Sequence, residues 1–174
     1  MNLFWYFEYS SPVGRLRIAG DETGVVSLDF DDFEERMRRL IEARFGEHEL
    51  CPGADPIGVV PRLDRYFAEG IDTFREFPVN LRGTPLQAEV WSALREIPAG
   101  ETRTYGQLAA ALGRPKASRA IGHANSLNPI GIIVPCHRVI GANGKLTGYA
   151  GGLHRKEWLL RHERQAYRPL LFTA

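Results

Sequence analysis

The chain has 174 residues, of which 44% are hydrophobic and 25% charged, and its formal net charge is +1 at pH 7. This composition is typical of a globular protein of one or two domains, and it excludes a strong overall charge directed at nucleic acid. No apolar run is long enough to span a bilayer, the N-terminus lacks the pattern of a signal peptide, and only two cysteines occur. We therefore expect a cytoplasmic protein with no membrane partner.

The first 80 residues predict a β-meander followed by helices. Turn signals separate three extended segments at residues 4–9, 15–18 and 25–30. Asp31 or Asp32 is expected to cap a helix that runs to Phe45 and ends at Gly46. A Pro/Gly-rich loop at 51–58 precedes a second helix at 60–68, with Leu63 and Phe67 facing inward. The alternation at 74–81 then predicts one more strand.

The segment 82–85 is the best candidate for a domain boundary, so we divide the chain into 1–80 and 81–174. Thr84 is expected to cap a helix that ends near residue 97, and Thr104 to cap another at 105–112. A turn leads to a third helix, which starts at residue 116 or 118 and ends near 127. This spacing is typical of a helix-turn-helix, although many αα-hairpins share it. A final helix is predicted at 156–164.

The run Pro135-Cys136-His137-Arg138 places a thiol beside an imidazole, after an apolar segment at 130–134 that predicts a buried strand. A neighbouring base or positive charge lowers the pKa of a cysteine and makes it nucleophilic, so we expect a lowered pKa for Cys136. The alternative is a small buried hydrophobic residue. Adjacent residues on a strand face opposite sides, so His137 would reach Cys136 only through a turn or a bridging water.

A further set of motifs lies in the second half of the chain, at residues 87–91, 97–100, 104–109, 119–122, 128–129, 132–140, 148–149, 151–152 and 156–160. In order and spacing this half resembles the O6-alkylguanine-DNA alkyltransferases. The resemblance implies an α/β (α+β) protein. Its N-terminal domain would be an RNase H-like β-sheet with helices, and its C-terminal domain mainly helical with a winged-helix or helix-turn-helix DNA-binding element.

The resemblance also assigns catalytic roles. Cys136 matches the cysteine that accepts the alkyl group and keeps it, His137 the residue that draws the thiol proton through a water, and Glu163 the acid that orients the histidine. Tyr105 matches the phenol that protonates the leaving base, and Asn128 matches the residue that braces the turn before the active-site strand, although Asn before Pro is also ordinary turn chemistry. Structural alternatives remain open: Tyr105 could be a core residue and Glu163 a surface acid.

For the partner, the resemblance implies the minor groove of double-stranded DNA that carries an alkylated guanine, flipped out of the helix. Arg119 matches the finger that fills the space of the flipped nucleotide, although a solvated arginine is the alternative. The rest of the expected DNA surface is Lys116, Ala117, Ser118 and Ala120, and the expected pocket wall is Val139, Tyr149, Ala150 and Gly151.

The expected activity is one irreversible transfer of an alkyl group from O6-alkylguanine, and possibly O4-alkylthymine, by a monomer. No cofactor is expected, because the alkylated base is itself the activated donor. No metal is expected, since His48 and Cys51 have no further ligands nearby. Two alternatives stay open: a non-catalytic relative that only binds the lesion, and a cysteine hydrolase that turns over.

Overall fold

The computed structural model describes residues 1–167 and confirms the mixed α/β architecture. Its strands are β1 (Asn2–Ser11), β2 (Gly14–Asp21), β3 (Gly24–Phe30), β4 (His48–Pro52), β5 (Arg103–Thr104) and β6 (Val139–Ile140). Its helices are α1 (Glu34–Phe45), α2 (Val59–Glu69), α3 (Pro85–Arg95), α4 (Tyr105–Ala111), α5 (Ser118–Ser126) and α6 (Leu153–Tyr167). Residues 168–174 of the predicted C-terminal domain lie outside the described part.

A four-stranded sheet in the order β3-β2-β1-β4 forms the N-terminal half. The three meander strands are antiparallel, as their turn signals predict, whereas β4 runs parallel to β1. Strand β4 falls partly in the segment that we expected to be a loop. It is short, has one strand neighbour and ends at Pro52, which is tolerated at a sheet edge because the ring removes one backbone donor.

The opposite edge of the sheet, β3, is covered by two segments of the later chain. The backbone of Val25 bonds to residues on either side of Val79, and that of Leu28 to residues on either side of Ile130. The strand predicted at 74–81 is therefore wrong: only one isolated bridge forms there. Pro78 lacks an N–H and the Phe77 amide bonds back to Phe74, so no continuous ladder is made.

Neither Asp31 nor Asp32 caps α1, contrary to expectation. A 3-10 turn at Asp31–Phe33 precedes the helix. The N-cap residues are Phe30 for the turn and Phe33 for α1, and neither makes a side-chain capping hydrogen bond. Asp32 instead pairs with Arg155 of α6, 2.9 Å away. A contact distant in the sequence thus takes the carboxylate that local capping would have used.

Apolar packing runs without a break from the sheet to the C-terminal helices. One cluster contains residues of β2 and β3 together with residues of α2, α3, α5 and α6. On α2 the inward face is Val59, Leu63 and Tyr66, while Phe67, which we expected inside, is half-buried. The positions 59, 63 and 66 follow helical spacing. Leu63 is therefore inward as predicted, and Tyr66 takes the inward position that we expected for Phe67.

The two predicted threonine caps in the C-terminal half are confirmed. The Thr84 and Thr104 side chains each accept a hydrogen bond from the backbone amide three residues later. In return, the side-chain oxygens of Gln87 and Gln107 accept hydrogen bonds from the backbone amides of the two threonines. These capping boxes fix the starts of α3 and α4. Helices α4 and α5, joined by the turn at 112–117, form the helix-turn-helix. No helix among residues 1–167 is long and apolar enough to cross a membrane.

Candidate active site

The segment that leads to Cys136 is a series of tight turns rather than the expected buried strand. Ile132 has φ +67°, and the amides of Ile133 and Cys136 each bond to the carbonyl two residues before them. A β-branched residue at positive φ is strained, typically by about 1–3 kcal/mol. Cys136 then begins a 3-10 turn, Cys136–Arg138. His137 therefore lies on a helical turn, and the strand geometry that separates adjacent side chains does not apply.

Cys136 is buried, with 6% of its surface exposed, and it is unpaired with the other cysteine. Burial raises the pKa of its thiol, while a hydrogen bond from Asn128 and the charges of Arg36 and Lys156 oppose that rise. The lowered pKa that we expected from the neighbouring histidine is thus wrong for the free protein. The thiol keeps its proton until a base removes it.

Glu163 is fully buried, so the alternative of a surface acid is excluded. Its Oε1 lies 2.7 Å from His137 Nε2 and accepts from the Tyr66 hydroxyl at 2.8 Å and Arg138 Nη2 at 2.9 Å. Its Oε2 accepts from Arg138 Nε at 3.0 Å and the Gly100 amide at 3.3 Å. Burial alone would raise the pKa of this carboxyl, but His137 and Arg138 outweigh burial and hold it well below its usual range.

The ionised carboxylate determines the tautomer of His137. Because Glu163 can only accept, the proton of the neutral imidazole lies on Nε2 and leaves Nδ1 as an acceptor. Burial lowers the pKa of His137, against the pull of Glu163, so the ring is neutral near pH 7. Its Nδ1 is buried and has no hydrogen-bond partner among residues 1–167. A neutral imidazole with one free nitrogen is ready to accept a proton.

Asn128 holds the turn before Cys136 from both sides. Its Nδ2 donates to the Val134 carbonyl at 2.8 Å, and its Oδ1 accepts from the Ile130 amide at 3.1 Å. The Asn128 backbone carbonyl accepts from Arg36 of α1, which also pairs with buried Asp29. The structure thus places Asn128 between the N-terminal half and the cysteine.

Two tyrosines near Cys136 are associated with the glycine-rich loop at 141–152: Tyr105 contacts the loop, and Tyr149 belongs to it. Tyr105, at the start of α4, has its hydroxyl 3.4 Å from the Thr147 carbonyl. Tyr149 is half-buried and its hydroxyl has no partner in the described part of the chain. Burial raises the pKa of both phenols, and a negative charge at Cys136 raises it further. Both side chains are therefore protonated and within electrostatic reach of the sulfur.

The backbone of this loop is held to α6 and to the sheet. Lys156 Nζ donates to the carbonyls of Val139 at 2.6 Å and Thr147 at 2.8 Å. Buried Arg155 donates to the Gly151 carbonyl at 3.1 Å, and its guanidinium lies 4.1 Å over the Phe30 ring. The same ring approaches Gly151 so closely that a Cβ there would lie 2.2 Å from it. Only glycine fits at position 151.

The residues expected to meet DNA lie on one exposed corner. Lys116, Arg119 and Ala120 are exposed, and Ala117 and Ser118 are partly exposed. No carboxylate within residues 1–167 forms an ion pair with Arg119, which is the second residue of α5. Gly122 faces inward from the same helix, so a Cβ there would lie 3.6 Å from the Tyr105 ring. Helix α5 thus packs directly on a tyrosine of the site.

Two family models match the chain and together cover most of it. The 6-O-methylguanine DNA methyltransferase ribonuclease-like domain matches residues 5–81, and the DNA binding domain of the same family matches residues 85–165. The methylated-DNA–protein-cysteine methyltransferase of Salmonella typhimurium is 47% identical over 157 residues, 88% of this chain and 92% of the relative. That of Methanosarcina acetivorans is 46% identical over 159 residues, 91% and 97% of the two chains.

The chain belongs to the 6-O-methylguanine DNA methyltransferase family. Solved structures agree. The Mycobacterium tuberculosis OGT in complex with DNA has a TM-score of 0.80 and 44% identity, with 93% of this chain and 94% of that one covered. The O6-methylguanine methyltransferase of the same organism has a TM-score of 0.78 and 43% identity, with 94% of each chain covered.

Several residues of this methyltransferase site escaped the sequence analysis. Arg138 stands next to His137 in the quoted motif, yet we assigned it no role, and it proves to bind both Glu163 oxygens. Lys156 lies in the matched segment 156–160. Tyr66 and Arg36 are in the N-terminal half, where helical periodicity shows only which residues face inward. No local signal indicates that a phenol on α2 reaches a carboxylate on α6.

Proposed function

We propose that this protein repairs DNA by transferring an alkyl group from O6-alkylguanine directly and irreversibly to Cys136. The observation that carries the proposal is the thiol relay, the set Cys136, His137 and Glu163. A buried thiol, a neutral imidazole with a free Nδ1 and an ionised carboxylate follow one another at the turn Cys136–Arg138. This is a nucleophile, a base and an orienting group.

The chemistry balances without a cofactor. His137 Nδ1 takes the thiol proton through a bridging water, and the sulfur attacks the alkyl carbon. The carbon–O6 bond breaks as the sulfur–carbon bond forms, and its electron pair returns to the guanine ring. Tyr105, protonated in the free protein, gives a proton to the leaving base and regains one from solvent. The product is a thioether that has no leaving group, so each molecule acts once.

The chemistry on a base requires that the base leave the stack. We propose that α5 enters the minor groove of duplex DNA, where the small side chains Ala117 and Ala120 permit close approach. Arg119 occupies the space of the flipped nucleotide. Val139, Tyr149, Ala150 and Gly151 line the pocket that receives the base. The loop carbonyls of Thr147 and Gly151 accept hydrogen bonds from Lys156 and Arg155 of α6, and the Phe30 ring of β3 packs on Gly151, as a rigid pocket wall needs.

The proposal also covers the localisation, the oligomeric state and the division of the chain into domains. The free cysteines Cys51 and Cys136 suit the reducing cytoplasm. Among residues 1–167 the large exposed apolar side chains are Met1, Leu3, Ile71 and Leu153, which come from three separate segments of the chain, and this suits a monomer. We also propose residues 1–80 as a support domain and 81–174 as the active domain.

Mass spectrometry after incubation with a duplex that carries O6-methylguanine tests the proposal. We expect one methyl group per protein molecule, on Cys136, and none on Cys51. Cys136→Ala should take up no methyl group while still binding the duplex, and Cys51→Ala is the matched control that should react like the parent. Repeated turnover by one molecule would favour the hydrolase alternative, and binding without any uptake by the parent would favour a lesion-binding protein.

A further inference from the structure

The N-terminal half contributes a hydrogen bond directly to the carboxylate of the thiol relay. Tyr66, on α2, is fully buried, and its hydroxyl donates to Glu163 Oε1 at 2.8 Å across 97 positions of sequence. Burial and the neighbouring Glu163 raise the pKa of this phenol well above 10, so it remains a donor at every relevant pH. The mechanism proposed above makes no use of this bond.

The oxygen that Tyr66 reaches is the same one that orients the histidine. Oε1 lies 2.7 Å from His137 Nε2 and accepts from Arg138 Nη2 as well, so three donors share one atom. When one acceptor oxygen receives an additional hydrogen bond, it offers less electron density to its other donors. Its hydrogen bonds to those donors become weaker. The strength of the bond between Glu163 and His137 therefore depends on the phenol.

We infer that Tyr66 is a positioning residue of the thiol relay, which by sharing Glu163 Oε1 with His137 limits how strongly the carboxylate attracts the imidazole proton. This inference rests on the proposed function. It gives the N-terminal half a role in the chemistry: without the phenol, Glu163 would stabilise the charged imidazolium more, and His137 would be protonated at a higher pH. A protonated His137 cannot accept the thiol proton.

Other charged or titratable groups face the same pair. Arg138 pairs with Glu163 and, through Nη1, with Asp72 at 2.8 Å; Lys156 lies on α6 near His137. His162, also on α6, contacts Tyr66 through the Tyr66 carbonyl at 2.8 Å. Because the imidazole of His162 also packs against the Tyr66 ring, the test includes a variant that removes it.

Tyr66→Phe removes the hydroxyl and keeps the ring, so it tests the inference with little change in packing. The rate of transfer from free O6-benzylguanine should be measured between pH 5 and pH 8.5, alongside an NMR titration of the assigned His137 ring nitrogens. We expect the acid limb and the His137 titration to move together to higher pH by about half a unit to one unit, the scale of one neutral hydrogen bond.

Tyr9→Phe is the matched control, since it removes a tyrosine hydroxyl that also bonds to a carboxylate, Asp64 of α2 at 2.8 Å, in an exposed hydrogen bond. It should leave the profile unchanged, and His162→Gln should not abolish the shift caused by Tyr66→Phe. An acid limb and a His137 titration that stay at the parent's pH in Tyr66→Phe, even with a lower plateau, would overturn the inference. If instead the parent itself has no acid limb and His137→Ala reacts at the parent rate, the relay of the proposed function fails.

Discussion

At the scale of single residues, burial decides how the reactive groups are prepared. It raises the pKa of Cys136 and lowers that of His137, so in the free protein the thiol is protonated and the base is neutral. Both groups thus avoid a buried charge until substrate is present. A preformed thiolate beside a histidinium, the arrangement that adjacency in sequence suggests, is disfavoured here by desolvation.

His137→Ala should slow transfer by about 10²- to 10⁴-fold, the usual cost of a lost general base. The parent rate should fall in acid, at a lower pH than a free imidazole would give, because burial lowers the pKa of His137. The variant should lack this dependence. Stopped-flow kinetics with free O6-benzylguanine measure the rate and its pH dependence, since this substrate needs no base flipping.

His154→Ala, an exposed histidine on α6, is the control for that comparison and should retain the parent profile. A His137→Ala protein that reacts at the parent rate would show that the imidazole only supports the fold.

At the scale of elements, α5 joins the proposed DNA surface to the site. Its first turn exposes Arg119 and Ala120, while Gly122 faces Tyr105 and the Ala124 carbonyl accepts a bond from Trp91 at 2.9 Å. The helix is therefore fixed from the inside and free on the outside. Under the proposed function, the exposed side chain of Arg119 enters the DNA stack while the inner face of α5 keeps its contacts.

Arg119→Ala should slow repair of duplex DNA by about 10- to 100-fold, because base flipping costs a few kcal/mol and an inserted side chain offsets part of that cost. Reaction with free O6-benzylguanine should change little. Single-turnover rates on both substrates, at two salt concentrations, make the measurement.

Lys116→Ala is the matched charge control for Arg119, exposed just before α5. It should weaken duplex binding in a salt-dependent way with little effect on the rate once bound. Equal losses on free base and duplex for Arg119→Ala would assign Arg119 to the fold or the pocket instead.

At the scale of the whole molecule, the two halves are linked by charged side chains as well as by apolar packing. Arg138 connects Glu163 to Asp72, Arg155 connects α6 to Asp32, and Arg36, which pairs with Asp29, donates to the Asn128 carbonyl. Removing one partner of a buried pair leaves an uncompensated charge, which destabilises far more than the intact pair stabilises. Groups of both halves thus hold Glu163 and Asn128 in place.

Acid should destabilise the protein first through His137. The unfolded chain protonates this imidazole near pH 6.5, whereas the folded chain does so only at lower pH, so the free energy of unfolding falls as pH drops below about 6.5. Glu163, whose pKa is lowered, loses its contribution only below about pH 4.3, while Asp29, whose pKa burial raises, acts in the opposite direction.

Urea denaturation at pH 7 and pH 5.5 measures the difference in the free energy of unfolding between these two pH values. His137→Gln should reduce that difference by up to about 1.4 kcal/mol per pH unit, the value of one proton. His123→Gln, exposed on α5, should retain the dependence of the parent. The same pH dependence in His137→Gln and the parent would place the acid sensitivity elsewhere.

The amino-acid sequence by itself determined the features that depend on neighbouring residues. The meander turns, the two threonine capping boxes, the helix-turn-helix and the run around Cys136 all rest on periodicity or on hydrogen bonds within a few positions. Tertiary structure alone decided the rest. Residues 130–134 look like a strand but form turns, because β3 accepts only one bridge there and Asn128 bonds to Val134. The bond from Tyr66 to Glu163 and the raised pKa of Cys136 depend on long-range packing and desolvation, which no local pattern encodes.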